Sequence, residues 1–522
     1  MILGEVFERN AALFGQAPAI YVEDRIVTHA QLFDRACRLG NALHSLGVRK
    51  RDRVLMLAQN CPEFLELIGA AGLTGITSVG LNYRLSASEQ LHIVQDCSPS
   101  VWIFEAQYAE RVVEVCSSLA TKPQLICIGP TGAPGVHDYE SLMHQSNATR
   151  PALRASEQDT VFLIYTSGTT GHPKGVMHSQ VGQIEQSKIC SNAFATNPID
   201  RVLLVMPFYH VGAINVYLAY AWSGAAVVLH RAFDPNEVYA SFARHHVTAA
   251  LLAPVMIRAM LDCSEAVSSA QNCLHSIFYS SAPMPVPLLK RAMSQFGPIF
   301  VQVYGMTENV LGTFMYKHQH KLEGAPHEVK RLASAGQPYY GCEIVLRHPD
   351  GRGCNQGEVG EVTIHSPALM QGYWNNSIAT LDAIYDGWYS TGDMGYFDED
   401  KFLFLVDRKK DMIISGGENI YSREVEEALL THPAVFETAV IGIPDEKWGE
   451  AVIAFVVCRG QKPDAAELIT HCRNQIASYK KPRAIEFIDD LPRVPSTNKV
   501  DKKKLREPYW PLLPDESASL SQ

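Results

Sequence analysis

The sequence predicts an α/β fold, and three observations carry the prediction. Short apolar runs alternate with helical stretches through about the first 300 residues. A glycine-punctuated region of short alternating strands follows from about residue 335. A charged connector at 407–411 then precedes a second, smaller strand-and-helix region over 412–507. Strand–helix alternation favours largely parallel sheets covered by helices.

The elements follow in order. Residues 28–46 carry Leu32, Ala36, Leu39, Leu43 and Leu46, which is helical spacing. Residues 53–58 read as a strand, as do the apolar runs at 100–104, 124–128, 201–206, 225–229 and 276–279. The stretch 211–229 is uncharged over 19 residues, near the roughly 20 that span a membrane. Asn215, the Trp222-Ser223-Gly224 break and the valine-rich end instead predict a buried helix followed by a strand. Residues 361–365 belong to the β-rich region. Beyond the connector, a helix near 423–431 places Val425, Ala428 and Leu429 on one face, with Ser422 as its N-cap. The last dozen residues read as a frayed tail.

Composition narrows the function. A chain of 522 residues holds several domains at about 100–200 residues each. A net charge of −10 and the lack of a basic arm argue against a nucleic-acid partner. The 12 cysteines form no C-x-x-C pair and no zinc spacing, so reduced thiols and a cytoplasmic location are expected. The N-terminus lacks the basic start and apolar core of a signal peptide. The chain ends Leu520-Ser521-Gln522, which is no peroxisomal tripeptide.

The most informative segment is Tyr165-Thr166-Ser167-Gly168-Thr169-Thr170-Gly171-His172-Pro173-Lys174-Gly175, directly after a strand-like run at 161–164. Glycines let backbone N–H groups face a polyanion, the hydroxyls add donors, and Lys174 adds a charge. The spacing is not that of a Walker A loop. Tyr304-Gly305-Met306-Thr307-Glu308 stands at the end of another strand-like run, 298–303, where ligands of open α/β sheets bind. Asp393 closes Tyr389-Ser390-Thr391-Gly392-Asp393. Its carboxylate has acceptors for two hydroxyls. Further segments are Met206-Pro207-Phe208-Tyr209-His210, Ser280-Ser281-Ala282-Pro283, Ser415-Gly416-Gly417-Glu418-Asn419-Ile420-Tyr421, the stretch 442–450, the basic cluster 479–483, and 491–499, which ends on Lys499.

Together these segments resemble the signatures of the adenylate-forming superfamily: acyl-CoA synthetases, aryl-CoA ligases, luciferases and peptide-synthetase adenylation domains. The resemblance runs from about residue 20 to about residue 507 and is greatest to bacterial-type fatty or aromatic acid–CoA ligases. It implies an N-terminal adenylation domain over 1–407, built of stacked α/β subdomains with a β-rich subdomain at about 335–407. A hinge would lie at 408–411, on Lys410, and a mobile C-terminal α/β domain at 412–522.

The same resemblance implies roles for individual residues. Thr166, Ser167, Gly168, Thr169, Thr170, Gly171 and Lys174 would hold ATP phosphates, with Ser281, Ala282 and Gly305 lining the nucleotide. Tyr304 would stack on adenine and Thr307 contact the α-phosphate. Glu308 and Thr166 would hold Mg²⁺, and Asp393 and Arg408 the ribose. Lys499 would be the catalytic lysine, acting with Thr307, Glu308 and His210. Tyr209, His210, Val211, Gly212, Asn215, Val255, Tyr279, Met306 and Val310 would form the acyl pocket, with Phe208 beside them. These are mainly apolar, so an aliphatic or aromatic acid is expected over a polar one. Tyr209, Asn215 and Tyr279 are candidates to grip a ring substituent. Ser415, Gly416, Gly417 and Glu418 would face coenzyme A.

Three departures stand out. Ser280 and Ser281 replace two glycines of the family pattern, Asn498 replaces the glycine before the lysine, and the last segment is about one residue longer than usual. Lys499 also sits among Lys502, Lys503, Lys504 and Arg506, which read equally as a solvated basic tail. The expected activity is an ATP-dependent acid–CoA ligase. An enzyme loading a carrier protein is an alternative, as is a non-catalytic nucleotide-binding regulator. Small-molecule acid and coenzyme A are the expected partners, with a homodimer suggested by the family. Membrane contact is expected only peripherally, if the acid is a long-chain lipid.

Overall fold

The computed structural model describes residues 1–166, 173–263, 273–494 and 499–510. The chain separates into two compact units. The first comprises Met1–Ile344, Thr363–Ser390 and Asp400–Leu403; the second comprises Val345–Val362, Thr391–Glu399 and Phe404–Gln522.

Two large sheets build the first unit. One has eight strands, in spatial order Gly372–Tyr373, Lys174–Ser179, Thr160–Thr166, Thr77–Gly80, Arg53–Leu57, Val101–Glu105, Gln124–Ile128 and Val136–Asp138. The other has nine and runs from Gln337–Pro338 through Phe300–Tyr304, Ser276–Tyr279 and Arg201–Leu204 to the edge strand Arg25–Thr28. The central strands of both are parallel, as the alternating pattern predicted. Antiparallel strands close the sheet edges near the expected site: Lys174–Ser179 pairs with Thr160–Thr166, and Gly372–Tyr373 pairs with Lys174–Ser179.

A helical layer shares one core with both sheets, joining Val54 and Met56 to Val202 and Leu204 through residues such as Leu65, Ile68, Ile184 and Leu218. The helix Pro62–Thr74 is buried all along from Phe64 to Thr74, and its sequence is predominantly apolar, as such burial requires; the buried Glu66 is ion-paired with Arg35. The predicted helix at 28–46 is His29–Ser45, and the Thr28 side chain accepts from the Gln31 N–H to cap it. The uncharged stretch folds as the helix Val211–Ser223 and then the strand Ala226–Leu229. Gly224 ends that helix at φ +82°, and a Cβ there would meet the Phe14 ring at 2.4 Å. Among the described residues no helix is long and apolar enough to cross a membrane.

In the second unit the strands run Glu418–Ile420, Ile413–Ser415, Gly449–Cys458 and Val435–Asp445, with Ala484–Phe487 on the free side of Gly449–Cys458. Alternate residues face opposite ways. Val440, Val452, Ala454 and Val456 pack under the helices Ser422–Leu430 and Ala465–Gln475, through Val425, Leu429, Leu468 and Cys472. Ala439, Ile441, Ile453 and Phe455 pack instead on Leu491 and Leu505. The predicted N-cap is corrected here: Ser422 is the first helical residue and the cap position is Tyr421, which makes no side-chain cap bond. The Ser422 N–H donates to the Asp407 carboxylate, and its hydroxyl receives Lys502 at 2.6 Å. A half-buried carboxylate from elsewhere in the chain does the work of a local cap, which no local signal announces.

The units do not divide at 407/408. Residues 345–362 and 391–399 group with the C-terminal residues. Hydrogen bonds tie the two segments to each other, the Gly357 N–H donating to the Phe397 carbonyl at 3.0 Å and the Thr391 hydroxyl to the Val362 carbonyl at 2.8 Å, and one reaches the C-terminal residues, the Lys409 N–H donating to the Gly392 carbonyl at 2.8 Å.

Candidate active site

Thr166 ends one strand of the antiparallel pair and Lys174 begins the other, directly opposite in register. The Thr166 hydroxyl lies 3.5 Å from the Lys174 carbonyl. The two strands thus flank the glycine- and hydroxyl-rich segment. Ser167, Gly168, Thr169, Thr170 and Gly171 lie outside the described residues.

The Tyr304–Glu308 segment is shaped by its backbone. Tyr304 ends its strand and is 9% exposed. At Gly305 a Cβ would fall 1.8 Å from the Val310 carbonyl oxygen, so no other residue fits the turn. The Met306 N–H donates to the Asn309 carbonyl at 3.1 Å, and the Met370 N–H to the Glu308 carbonyl at 2.9 Å. The Glu308 carboxylate accepts the Tyr373 hydroxyl at 2.8 Å. The Lys174 ammonium lies 5.2 Å from the centroid of the same tyrosine ring. Burial first, and the Glu308 charge second, push the Tyr373 phenol up, so its proton stays in place. Below Thr307 lies His178, 1% exposed, which meets the Thr307 main chain; its Nε2 has no partner among the described residues. Burial pushes its pKa down to about 4, against the contrary pull of that main-chain contact. The structure thus brings Lys174 and Glu308 onto Tyr373. Sequence reading missed both Tyr373 and His178, since nothing local ties them to a site.

Glu308 and Thr166 present hard oxygen donors of the kind magnesium takes. That ion keeps most of its waters when it binds nucleotide phosphates, so one or two protein oxygens suffice.

The remaining first-unit candidates are dispersed. Ser281 adopts φ +73° and is exposed, as is Ala282. This left-handed backbone explains why glycine suits the position. Tyr209 is 4% exposed, its hydroxyl buried without a partner among the described residues, and it helps line a small apolar cavity with Phe64, Phe208 and Ile214. Its ring lies 4.6 Å from that of His210, the N-cap residue of the helix on which Val211, Gly212 and Asn215 follow. Asn215 donates back to the Val211 carbonyl at 2.8 Å, while its Oδ1 is buried without a partner among the described residues. The Tyr279 hydroxyl is committed to His320 Nε2 at 3.0 Å rather than held open for a ring substituent. Val255 is 58% exposed on the helix Pro254–Asp262. Met306 packs against the cluster of Val176, Met370, Tyr373 and Tyr389, and Val310 is half-buried.

The second unit gathers its own set. The Arg408 guanidinium is ion-paired with the Asp393 carboxylate, whose N–H donates to the Thr391 hydroxyl at 3.0 Å. Lys499 is an exposed residue, yet its ammonium is crowded by protein atoms. That crowding first and Arg408 second lower its pKa, and Asp393 opposes them. Two cations beside one carboxylate form a place for an anion. The reading of a solvated basic tail is corrected for two neighbours: Lys502 is 2.7 Å from Glu426 and Arg506 is 2.8 Å from Asp411. Lys503 and Lys504 are exposed. Lys410 tops an exposed turn, in which the Arg408 carbonyl accepts from the N–H groups of Asp411 and Met412 at 2.9 and 3.0 Å.

Gly416 (φ +61°) and Gly417 (φ +83°) form a two-residue hairpin between Ser415 and Glu418. Two positive φ values are what a type I′ turn demands, so the turn itself accounts for both glycines. Trp448, which sequence reading did not single out, braces this turn. Its carbonyl accepts the Gly416 N–H at 2.7 Å, and a Cβ on Gly416 would lie 2.7 Å from its ring.

Residues 7–374 match the family model described as AMP-binding enzyme, and residues 424–498 match the AMP-binding enzyme C-terminal domain. The chain is 35% identical over 512 residues to a feruloyl-CoA synthase of an Amycolatopsis species, covering 97% of this chain and 99% of that one. It is 33% identical to a long-chain-fatty-acid–CoA ligase of Mycobacterium tuberculosis, covering 95% and 96%. The o-succinylbenzoate CoA synthetase of Bacillus subtilis, solved with its acyl-adenylate, superposes with a TM-score of 0.84 at 31% identity, covering 96% of this chain and 98% of that one. The same enzyme has been solved with ATP and a magnesium ion, where the TM-score is 0.83 at 31% identity over the same shares.

Proposed function

We propose that the chain, which belongs to the AMP-binding enzyme family, is an acid–coenzyme A ligase that activates an aliphatic or aromatic acid as its acyl-adenylate and passes the acyl group to the coenzyme A thiol. The observation that carries this reading is the junction of Lys174 and Glu308 on Tyr373. It places a cation for phosphate and a carboxylate for a metal on one tyrosine, beside the strand that follows the glycine-rich segment.

A free carboxylate is a poor electrophile because its leaving group would be oxide. Attack of a carboxylate oxygen on the α-phosphorus of ATP forms a mixed anhydride and releases pyrophosphate. AMP then becomes the leaving group when the thiolate attacks the acyl carbon. Lys174 holds the departing phosphates, Thr307 and Lys499 stabilise charge on the α-phosphoryl oxygens, Asp393 and Arg408 hold the ribose, and Tyr304 stacks on the base. Removing one such charge-stabilising group typically lowers the rate by about 10²–10³. Glu308 and Thr166 would hold magnesium, which when bound neutralises phosphate charge. His210 and Tyr209 border the acid. The turn at Ser415–Glu418 is the proposed coenzyme A-facing segment, and Lys410 the proposed hinge. The cytoplasm, where ATP and reduced thiols are available, is the proposed location, and a homodimer the proposed assembly.

Pyrophosphate release from ATP, measured with a panel of aliphatic and aromatic acids with and without coenzyme A, tests the reading. Steady turnover only with coenzyme A, yielding a thioester, is expected. Turnover indifferent to coenzyme A points to carrier loading, and no release with any acid removes the catalytic assignment.

A further inference from the structure

Tyr373 sits where three chain segments meet. Its two-residue strand pairs with Lys174–Ser179, Tyr373 standing opposite Val176. The pairing is continued by the Gln371 N–H donating to the Met177 carbonyl at 2.8 Å and the Trp374 N–H to the Gly175 carbonyl at 2.7 Å. The Tyr373 N–H is held by the Thr380 hydroxyl at 2.9 Å. Its ring is 8% exposed and packs with Val176, Met370 and Tyr389. Backbone and ring are therefore fixed, and the polar contacts of the side chain, among them a hydrogen bond with the Tyr389 side chain, lie on a rigid base. The hydroxyl donates to Glu308 Oε1 at 2.8 Å, and the Lys174 ammonium sits against the ring at 5.2 Å.

Glu308 and Lys174 are otherwise long side chains with several rotatable bonds. A carboxylate left to rotate binds a hard cation poorly, and hydrogen bonds to metal ligands commonly decide affinity by about 10–100-fold. A cation against an aromatic face is held by the ring quadrupole. One tyrosine thus sets both the orientation of the carboxylate and its spacing from the lysine.

We propose that Tyr373 is a positioning residue that presets the distance between the metal-binding carboxylate of Glu308 and the phosphate-binding ammonium of Lys174. This rests on the assignment of Glu308 to the metal. The two substituents of the phenol act separately: the hydroxyl serves the metal and the ring serves the nucleotide phosphates.

The test is ATP binding by calorimetry over a range of Mg²⁺ concentrations, and in EDTA, for wild type, Y373F, Y373L and E308Q, with a thermal melt of each. Y373F keeps the ring and loses the hydroxyl. Its half-saturating Mg²⁺ should rise about tenfold, with metal-free ATP affinity unchanged. Y373L loses both contacts and should also weaken metal-free ATP by about threefold. E308Q should shift the Mg²⁺ curve at least as far as Y373F. If E308Q shifts it and Y373F does not, the role of Tyr373 falls while the metal assignment stands. If E308Q leaves the curve in place, the assignment of Glu308 falls and the proposal with it. Equal loss of metal-free and metal-bound affinity in Y373F marks a merely structural residue and overturns the proposal as well.

Discussion

The Lys502 ammonium lies 2.7 Å from the Glu426 carboxylate, both side chains less than one-fifth exposed, and this pair separates the roles of two neighbouring lysines. Lys502 answers the charges of Glu426 and Asp407, whereas Lys499 stands beside Asp393 and Arg408. K502M leaves Glu426 without its cation and should cost about 3 kcal/mol of stability, read from denaturant unfolding. K499M should leave the unfolding midpoint in place and lower adenylate formation by about 10²–10³, read by pyrophosphate–ATP exchange. The opposite pattern would transfer the catalytic assignment to Lys502.

Ser281 pays a conformational penalty at φ +73°. A left-handed backbone costs a residue with a Cβ roughly 1–2 kcal/mol relative to glycine. S281G should therefore stabilise the protein by about 1 kcal/mol, while S281A, with the same Cβ, should not. Denaturant midpoints of the two variants decide the matter, and equal midpoints would remove strain as the explanation.

Gly416 has little room for a side chain, because a Cβ would meet the Trp448 ring at 2.7 Å and φ is +61°. G416A should distort the Ser415–Glu418 turn. Thioester formation is expected to fall by at least about tenfold, while adenylate formation, measured in the same preparation, stays within about twofold. Equal losses in both half-reactions would dissociate this turn from coenzyme A.

Acid should destabilise the fold through two histidines. His178 and His320 are 1% and 4% exposed, and burial pushes both pKa values from 6.5 down to about 4. Between those values the unfolded chain binds protons that the folded one refuses. Stability is therefore full above about pH 6.5 and is lost as pH falls toward 4, by up to about 3 kcal/mol for each group. H178Q and H320Q should each flatten the dependence of the melting temperature between pH 7 and 4.5. Slopes identical to wild type in both variants would assign the acid lability elsewhere.

Much of the fold was legible because its signals are local. The strands at 124–128 and 276–279 appear with the predicted bounds. The helix after Thr28 and the helix–strand break at Gly224 follow from side-chain spacing and one glycine. Ser422 was misread because its N–H is satisfied by Asp407, a residue outside the helix and its flanks. The glycines at 416 and 417 needed only a turn, which their presence in a motif had obscured.

The sequence by itself determined the alternation of strands and helices, the family, and the segments that carry hydroxyls, glycines and charges, since each depends on residues adjacent in the chain. Tertiary structure alone decided which of those groups meet. Tyr373 reaches back 65 residues to Glu308, and Lys502 spans the distance to Glu426 that leaves Lys499 beside Asp393. Such contacts are set by sheet register and by burial of charge, which join residues far apart in sequence and leave no periodic trace along it.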